Sequence, residues 1–406
     1  IRVKDSNNNK YFAHTLNNTV VAPPRMLIAF LENNYNEDGS IVYYSSENIE
    51  YRFDTTIYEK ISSKTGDTLK VSDLLKYRTG EFPVGTSMFD NKSASKEVPN
   101  WIGENCIECG MCASICPHAT IRPFIVDKDE VKGGIPLLGD KDKKFNYIIE
   151  VDKKHCTGCK LCVSVCPGKN GNKALVMEEN SKEFNVRLFY NHLNPELFDR
   201  FSIKGSSLLK CNFEFSGACA GCGQTPYLNV LTKLFGDKIV IANATGCSSI
   251  YGGLAPFIPY KIPWVNSLFE DNAEAALGLH LGYKAKRHRI KTIMEKNFDS
   301  SSDIVKELYK SWIENSDDYE TTKKIGDAIL EEEIPKSLKS LKDYLTSPTV
   351  WAVGGDGWAY DIGFSGIDHV LASGENVKIL VLDTEVYSNT GGQASKSSQY
   401  GQVSKF

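Results

Sequence analysis

Cysteine spacing carries the strongest chemical signal in this chain. The runs ENCIECGMCASICP and KHCTGCKLCVSVCP repeat one pattern, C-x2-C-x2-C-x3-C-P, and hold eight of the twelve cysteines. The first supplies Cys106, Cys109, Cys112 and Cys116; the second supplies Cys156, Cys159, Cys162 and Cys166. Three thiols at three-residue intervals on a tight loop can converge on one face of an iron–sulfur cube. The fourth lies beyond the next turn and reaches across to the other cube. The spacing therefore predicts two [4Fe-4S] clusters, one on Cys106/Cys109/Cys112/Cys166 and one on Cys156/Cys159/Cys162/Cys116. Pro117 and Pro167 stop the local helix and turn the chain away from the sulfurs. Zinc also takes four thiolates, but usually from two C-x2-C pairs. Disulfides need an oxidising compartment, to which nothing in the sequence points. Two cubes in one module form a wire for single electrons.

A second constellation lies near the end of the chain. In GDGWAYDIGFSGIDHVLASGENVKILVLDTEVYSNTGG, Asp356 and Thr384 follow two separate apolar runs. Asp356 offers a hard carboxylate oxygen, Thr384 a hydroxyl and Val386 a backbone carbonyl. Such donors suit Mg2+, whose remaining positions go to diphosphate oxygens and water. Gly355 and Gly357 let the backbone approach a diphosphate with no Cβ in the way. Gly-Asp-Gly by itself reads as a turn; the second strand tip with its own polar end favours the metal–diphosphate reading.

These groups need elements to hold them. DKIVIAN (237–243), VWAVGGDG (350–357) and VKILVLDTEVY (377–387) are strand candidates, and the latter two break into polar residues at their C-terminal ends. That is the layout of an open parallel sheet with ligands beyond the strand ends. Residues 101–176 form the cluster domain, with KGGIPLLGDKDKKFNY as a surface hairpin excursion. Residues 301–344, with VKELYKSWIEN and KSLKSLKDYL, read as a charged, solvated helical hairpin. Upstream, MLIAFLENNY suggests a helix, IVYY at 41–44 a strand, and RTGEFPVGTS an extended linker.

The whole sequence has 406 residues and a formal charge of -4, with a pI near 6.1. That length holds two or three domains, and the charge argues against a nucleic-acid surface. No apolar run reaches a membrane-spanning length. The expected division is 1–100, a tail and linker; 101–204, the cluster domain with its insertion and connecting segment; and 205–406, the sheet domain with a helical insertion at about 301–344. The opening IRVKDSNN lacks Met, and the close falls in a Gly/Ser-rich loop. The chain is therefore expected to be an internal piece of a larger protein.

Taken together, RTGEFPVGTS, WIGENCIECGMCASICPHATIRP, FEFSGACAGCGQTPY, NATGCSSIYGG, WVNSLFEDNAE, GDGWAYDIGFSG and LDTEVYSNTGGQASKSS resemble the pyruvate:ferredoxin (flavodoxin) oxidoreductase family over about residues 71–406. The resemblance implies an α/β domain that binds thiamine diphosphate on an open, mostly parallel sheet with helices on both faces. An α+β two-[4Fe-4S] ferredoxin-like domain precedes it. The resemblance also implies a third [4Fe-4S] cluster on Cys219, Cys222 and Cys247, with its fourth cysteine beyond residue 406. By themselves, Cys219 and Cys222 fit a redox dithiol or half a zinc site equally well, and Cys211 reads as an ordinary buried thiol. Gly355, Asp356, Gly357 and Trp358 would contact the cofactor. So would Cys247, Glu385, Tyr387 and Ser388, with Asn389 reaching the reacting-carbon region. Asp356, Thr384 and the Val386 carbonyl would ligate Mg2+. Gln224 stands where the family usually has glutamate, and an amide hydrogen-bonds without carrying that charge.

The implied reaction is oxidative decarboxylation of pyruvate with coenzyme A, the electrons leaving through the clusters to ferredoxin or flavodoxin. The catalytic glutamate would come from a domain upstream of this piece. A homodimer in the cytoplasm, or in a reduced organelle of a eukaryote, is expected, serving anaerobic metabolism. The alternatives are transfer through a fused flavoprotein domain to NADP+, another 2-oxoacid as substrate, or a non-catalytic electron-transfer protein.

Overall fold

The computed structural model describes residues 2–4, 10–12, 55–77, 83–90, 95–181, 183–254 and 256–404. The chain divides into two compact units, Ile1–Pro83 and Val84–Phe406. In the first, strands Arg2–Lys4 and Lys10–Phe12 pair antiparallel, and Thr55–Ser62 is helical. The helix expected at MLIAFLENNY and the strand expected at IVYY lie outside the described residues.

The second unit begins with the cysteine module. In chain order it contains β1 (Glu97–Trp101), α1 (Met111–Ile115), β2 (Ile121–Asp127), β3 (Ile135–Pro136), β4 (Phe145–Val151), α2 (Leu161–Val165) and β5 (Leu175–Glu179). β1 pairs antiparallel with β5, and β4 lies between β2 and β3 in an antiparallel sheet. Each cysteine run becomes a loop, a five-residue helix and a Cys-Pro exit. Both loops need two left-handed residues: Glu108 (φ 57°) and Gly110 (φ 76°) in the first, Gly158 (φ 65°) and Lys160 (φ 66°) in the second. The expected excursion, residues 132–147, contains the β3–β4 hairpin, and it contributes to the core, since Leu137 and Tyr147 are buried.

After α3 (Val186–Asn191) and α4 (Ile203–Leu208) the larger domain follows. It comprises α5 (Thr225–Phe235), β6 (Ile239–Asn243), α6 (Cys247–Gly252), β7 (Trp264–Asn266), α7 (Asn272–Asn297), α8 (Asp303–Glu314), α9 (Tyr319–Glu331), β8 (Thr349–Gly355), α10 (Phe364–Ser373) and β9 (Val377–Leu382). The sheet order is β9-β8-β6-β7, with every pairing parallel. Strand periodicity splits the core. Val240, Ala242, Val350 and Ala352 pack on Ala273 and Ala276 of α7 and Ile367 and Val370 of α10. Ile239, Ile241 and Val353 face the other way, onto Leu228 and Leu231 of α5 and Tyr251 of α6. Helices therefore cover both faces, as a parallel sheet requires.

Two expectations are corrected. The GTS end of the anticipated RTGEFPVGTS linker is locked into the larger domain. Gly85 turns at φ 72°, and Thr86 and Ser87 are fully buried. The Ile258 amide donates to Thr86 Oγ1 at 2.8 Å, and Ser87 Oγ donates to the Glu214 carbonyl at 2.8 Å. Small hydroxyl residues satisfy backbone groups that burial would otherwise strand. The charged helices at 301–344 are also more than a solvated hairpin. Val305, Tyr309 and Trp312 of α8 pack with Ile290 and Met294 from the far half of α7, and with Ile329 and Leu345, in a core of their own. Arg287 of α7 donates to the carbonyls of Tyr344 (2.8 Å) and Leu345 (2.9 Å) and stacks on Trp312.

A buried ion cluster joins the cysteine module to the sheet domain. Glu214, 1% exposed, pairs with Arg122 of β2 and with Lys261 at 2.5 Å. Although burial opposes ionisation, Lys261 and Arg122 overcome it and hold the carboxyl at about 2. A depressed carboxylate contributes stability that is complete above its ordinary unfolded value of about 4.5. That stability is lost as pH falls from there through about 2. Urea unfolding between pH 6 and 3 should show the wild-type midpoint falling faster than that of Glu214→Gln. At neutral pH the variant should be less stable by about 3–5 kcal/mol, because two cations are left uncompensated. Parallel pH profiles would refute this.

Candidate cluster cavities and cofactor crevice

The structure gathers the eight repeat cysteines in the crossed arrangement. Cys106, Cys109, Cys112 and Cys166 line one cavity with Tyr147 and Leu175. Cys116, Cys156, Cys159 and Cys162 line a second with His118 and Thr120. Loops and the starts of α1 and α2 present three thiols to each, and the Cys-Pro exit of the opposite repeat brings the fourth. Backbone amides donate to the sulfurs at 3.4 Å: Glu108 to Cys106, Thr120 to Cys116 and Ala174 to Cys166. Burial pushes the thiols of Cys156 and Cys162 up to about 11 and about 12, and crowding by Cys116 adds to both. Cys112 rises well above the ordinary thiol value for the same first reason. Thiols so raised stay protonated until iron displaces the proton. Each void is ringed by four cysteines, the donor number that an iron–sulfur cube takes.

The third cysteine group adjoins the second cavity. His118 Nε2 lies 2.8 Å from the Ala218 carbonyl, next to Cys219. A Cβ at Gly221 would sit 3.9 Å from Cys159 Cβ and 4.0 Å from Leu161. Cys247 opens α6, and its thiol is pushed up by burial and by crowding from Cys222 and Cys219. The three thiols thus share one neighbourhood. Cys211 is buried and donates to the Phe213 carbonyl at 3.2 Å.

From Cys247 the structure opens into a crevice of about 890 Å3, counting its mouth. The chain leaves β6 toward β7 on one side and returns to β8 on the other. The crevice lies beyond the C-terminal ends of β6 and β8, at this reversal, where open α/β sheets take ligands. Its wall includes Gln224, Cys247, Asp356, Tyr387 and Asn389. Asp356, 2% exposed, ends β8. Its Oδ1 accepts from the amide of Thr384 at 3.4 Å and from its hydroxyl at 3.3 Å. Thr384 Oγ1 lies 3.1 Å from the Val386 carbonyl and 3.2 Å from Ser388 Oγ, and Ser388 Oγ is 3.4 Å from Cys247 Sγ. Carboxylate, hydroxyl and carbonyl therefore converge as a hard-oxygen set that fits Mg2+. Gln224 donates to the Leu382 carbonyl at 3.4 Å, and its buried Oε1 has no partner among the described residues, so the amide fits a ligand that brings a donor.

Not every anticipated residue faces this crevice. The Trp358 ring is fully buried in the sheet–helix core, packed where a Cβ on Gly354 or Gly363 would collide with it. Only its backbone, in the helical turn Gly357–Ile362, stands near the site. A Cβ on Gly355 would meet only the Leu382 carbonyl, at 3.9 Å, but the Tyr387 ring occupies the space that a Cβ on Gly357 would need. Glu385 turns away, its carboxylate accepting from Gln399 at 3.0 Å. Sequence reasoning missed Ser395 and Ser397, which both donate to Asp356 Oδ2, and Asp361, which accepts from the Tyr387 hydroxyl at 2.8 Å. The signal for the two serines is the serine-rich QASKSS.

The crossed cavities predict an asymmetric defect. Cys116→Ala, although in the first run, should cost the cluster on Cys156, Cys159 and Cys162 and spare the other, as iron content and EPR would report. Loss of the Cys106 cluster instead would contradict the crossing.

Comparison with known proteins agrees with this geometry. Residues 105–170 match the family described as a 4Fe-4S dicluster domain. The chain is 41% identical over 390 residues to the pyruvate:ferredoxin oxidoreductase of Moorella thermoacetica, covering 88% of this chain and 33% of that protein. It is 42% identical over 375 residues to the pyruvate-flavodoxin oxidoreductase of Klebsiella pneumoniae (86% and 32%). It is 40% identical over 368 residues to the mitochondrial pyruvate dehydrogenase [NADP(+)] of Euglena gracilis (84% and 20%). The chain spans about a third or less of the length of these curated relatives. Among the described residues no helix is long and apolar enough to cross a membrane. Over most of its length, the chain is a homologue of the pyruvate:ferredoxin and pyruvate:flavodoxin oxidoreductases, with a ferredoxin-like 4Fe-4S domain joined to a parallel α/β sheet.

Proposed function

We propose that the protein containing this chain oxidatively decarboxylates pyruvate with coenzyme A to acetyl-CoA and CO2, passing electrons through three [4Fe-4S] clusters to ferredoxin or flavodoxin. The observation that carries this reading is contiguity. Cys247 lines the crevice, Cys222 crowds Cys247, and Gly221 abuts Cys159 of the second cavity.

Thiamine diphosphate, when bound, supplies an electron sink for cleaving the 2-oxoacid carbon–carbon bond, and the clusters accept electrons singly. Asp356, Thr384 and the Val386 carbonyl would hold Mg2+. Ser395 and Ser397 orient the Asp356 carboxylate through Oδ2, leaving Oδ1 toward Thr384. Gln224 offers its unpaired Oε1 to a donor on the cofactor, and exposed Asn389 lies at the crevice wall where substrate would approach. The cysteines hold iron as thiolates. A homodimer in the cytoplasm or a reduced organelle remains part of the reading. The relative named for NADP+ supports a second terminal acceptor, reached through a fused flavoprotein domain.

The intact protein, kept free of oxygen, should form acetyl-CoA from pyruvate and coenzyme A only with an acceptor present. A panel of ferredoxin, flavodoxin and NADP+ identifies that acceptor, and turnover with a different 2-oxoacid but not with pyruvate would refute the substrate. Asp356→Ala should abolish Mg2+-dependent thiamine diphosphate binding in calorimetry while leaving the iron content unchanged. Undiminished binding would overturn the metal assignment.

A further inference from the structure

We propose that the buried Glu108–Lys204 ion pair sets the reduction potential of the cluster in the first cavity, so that the two repeat clusters are electronically inequivalent. This rests on the cluster reading above. The loops C-I-E-C-G-M-C and C-T-G-C-K-L-C are repeats, and their third residues, Glu108 and Gly158, are both left-handed. Glycine takes that conformation freely, whereas glutamate is strained in it. A strained residue beside a candidate ligand invites a functional explanation.

The Glu108 side chain turns inward and is 1% exposed. Both carboxylate oxygens accept from the Leu138 amide at 3.1 Å, and Oε2 pairs with Lys204 Nζ at 2.7 Å. Lys204 is mostly buried and rests over Phe198, 4.0 Å from its ring centre. A charged pair thus sits in low dielectric, its carboxylate carried by the residue that directly precedes Cys109. The second loop carries no such pair between its first two cysteines: Gly158 has no side chain, and Lys160 pairs with Glu97 at 3.2 Å with both side chains more than half exposed, where solvent screens them; its buried pair, Asp152–His155 at 2.8 Å, lies before Cys156 and involves a histidine instead of a lysine. Cluster potentials respond to nearby charge, hydrogen bonds and solvent exposure. The carboxylate disfavours an added electron and the ammonium favours it, so removing them one at a time moves the potential in opposite directions.

EPR-monitored potentiometric titration of the intact, oxygen-free protein tests this. The first cluster's signal is assigned by its loss in Cys106→Ala. Glu108→Gln should raise that cluster's midpoint and Lys204→Met should lower it, each by roughly tenfold in the reduction equilibrium, about 59 mV for one electron. The Cys156 cluster should not move, and the double variant should return most of the way to wild type. Glu108→Gly, which removes the carboxylate and relieves the left-handed strain, should shift the midpoint with the sign of Glu108→Gln. If clusters assemble and thermal stability falls while no midpoint moves, the pair is structural and the inference is overturned. A wild-type protein that assembles no cluster overturns the cluster reading, and the inference with it.

Discussion

Glu214 is the joint on which the larger unit depends. One buried carboxylate serves Arg122, on the central hairpin of the cysteine module, and Lys261, on the segment entering the parallel sheet. Arg122 also lies over the rings of Phe189 and Phe215, so the ionic contact is sealed in an aromatic layer. Nearby, the Phe215 amide donates to the His118 carbonyl at 3.0 Å, and His118 reaches on to Ala218. A buried pair is weak evidence for net stability, but removing one partner is costly. That asymmetry suits a joint whose role is to fix one module against another.

The joint brings three chemically distinct places next to one another. The crevice at the β6/β8 reversal meets Cys247, the 219–222 loop meets Cys159, and the two crossed cavities share α1, α2 and their Cys-Pro exits. Under the proposed function, electron hopping would depend on these gaps staying short and constant. The hairpin that looked like a surface excursion takes part as well. Tyr147 lines the first cavity, and Leu138 holds Glu108 in place.

How legible this was in the sequence depended on whether the cause was local. The cysteine pattern was readable because three of the four thiols in each set come from one loop. Asp356 and Thr384 were readable because an apolar strand ending in polar residues marks a sheet's ligand edge. Thr86 and Ser87 were misread because their partners lie at 214 and 256–258, a tertiary debt that no local window displays. Trp358 was assigned toward the cofactor by its neighbours in the motif, yet glycines at 354 and 363 make room for its ring in the core. The helices at 301–344 look solvated by composition. Their core appears only once the far half of α7 supplies Ile290 and Met294. Glu108 gave no warning, since its left-handed backbone and inward carboxylate belong to the folded loop alone.

The central claim is that the crevice delivers electrons into the clusters. Rapid-freeze EPR of the intact, oxygen-free protein mixed with pyruvate and coenzyme A, without any external acceptor, tests it most directly. Reduced-cluster signals should grow during the first turnover and should be absent from an Asp356→Ala protein that retains its iron. Release of CO2 while every cluster stays oxidised would contradict the account.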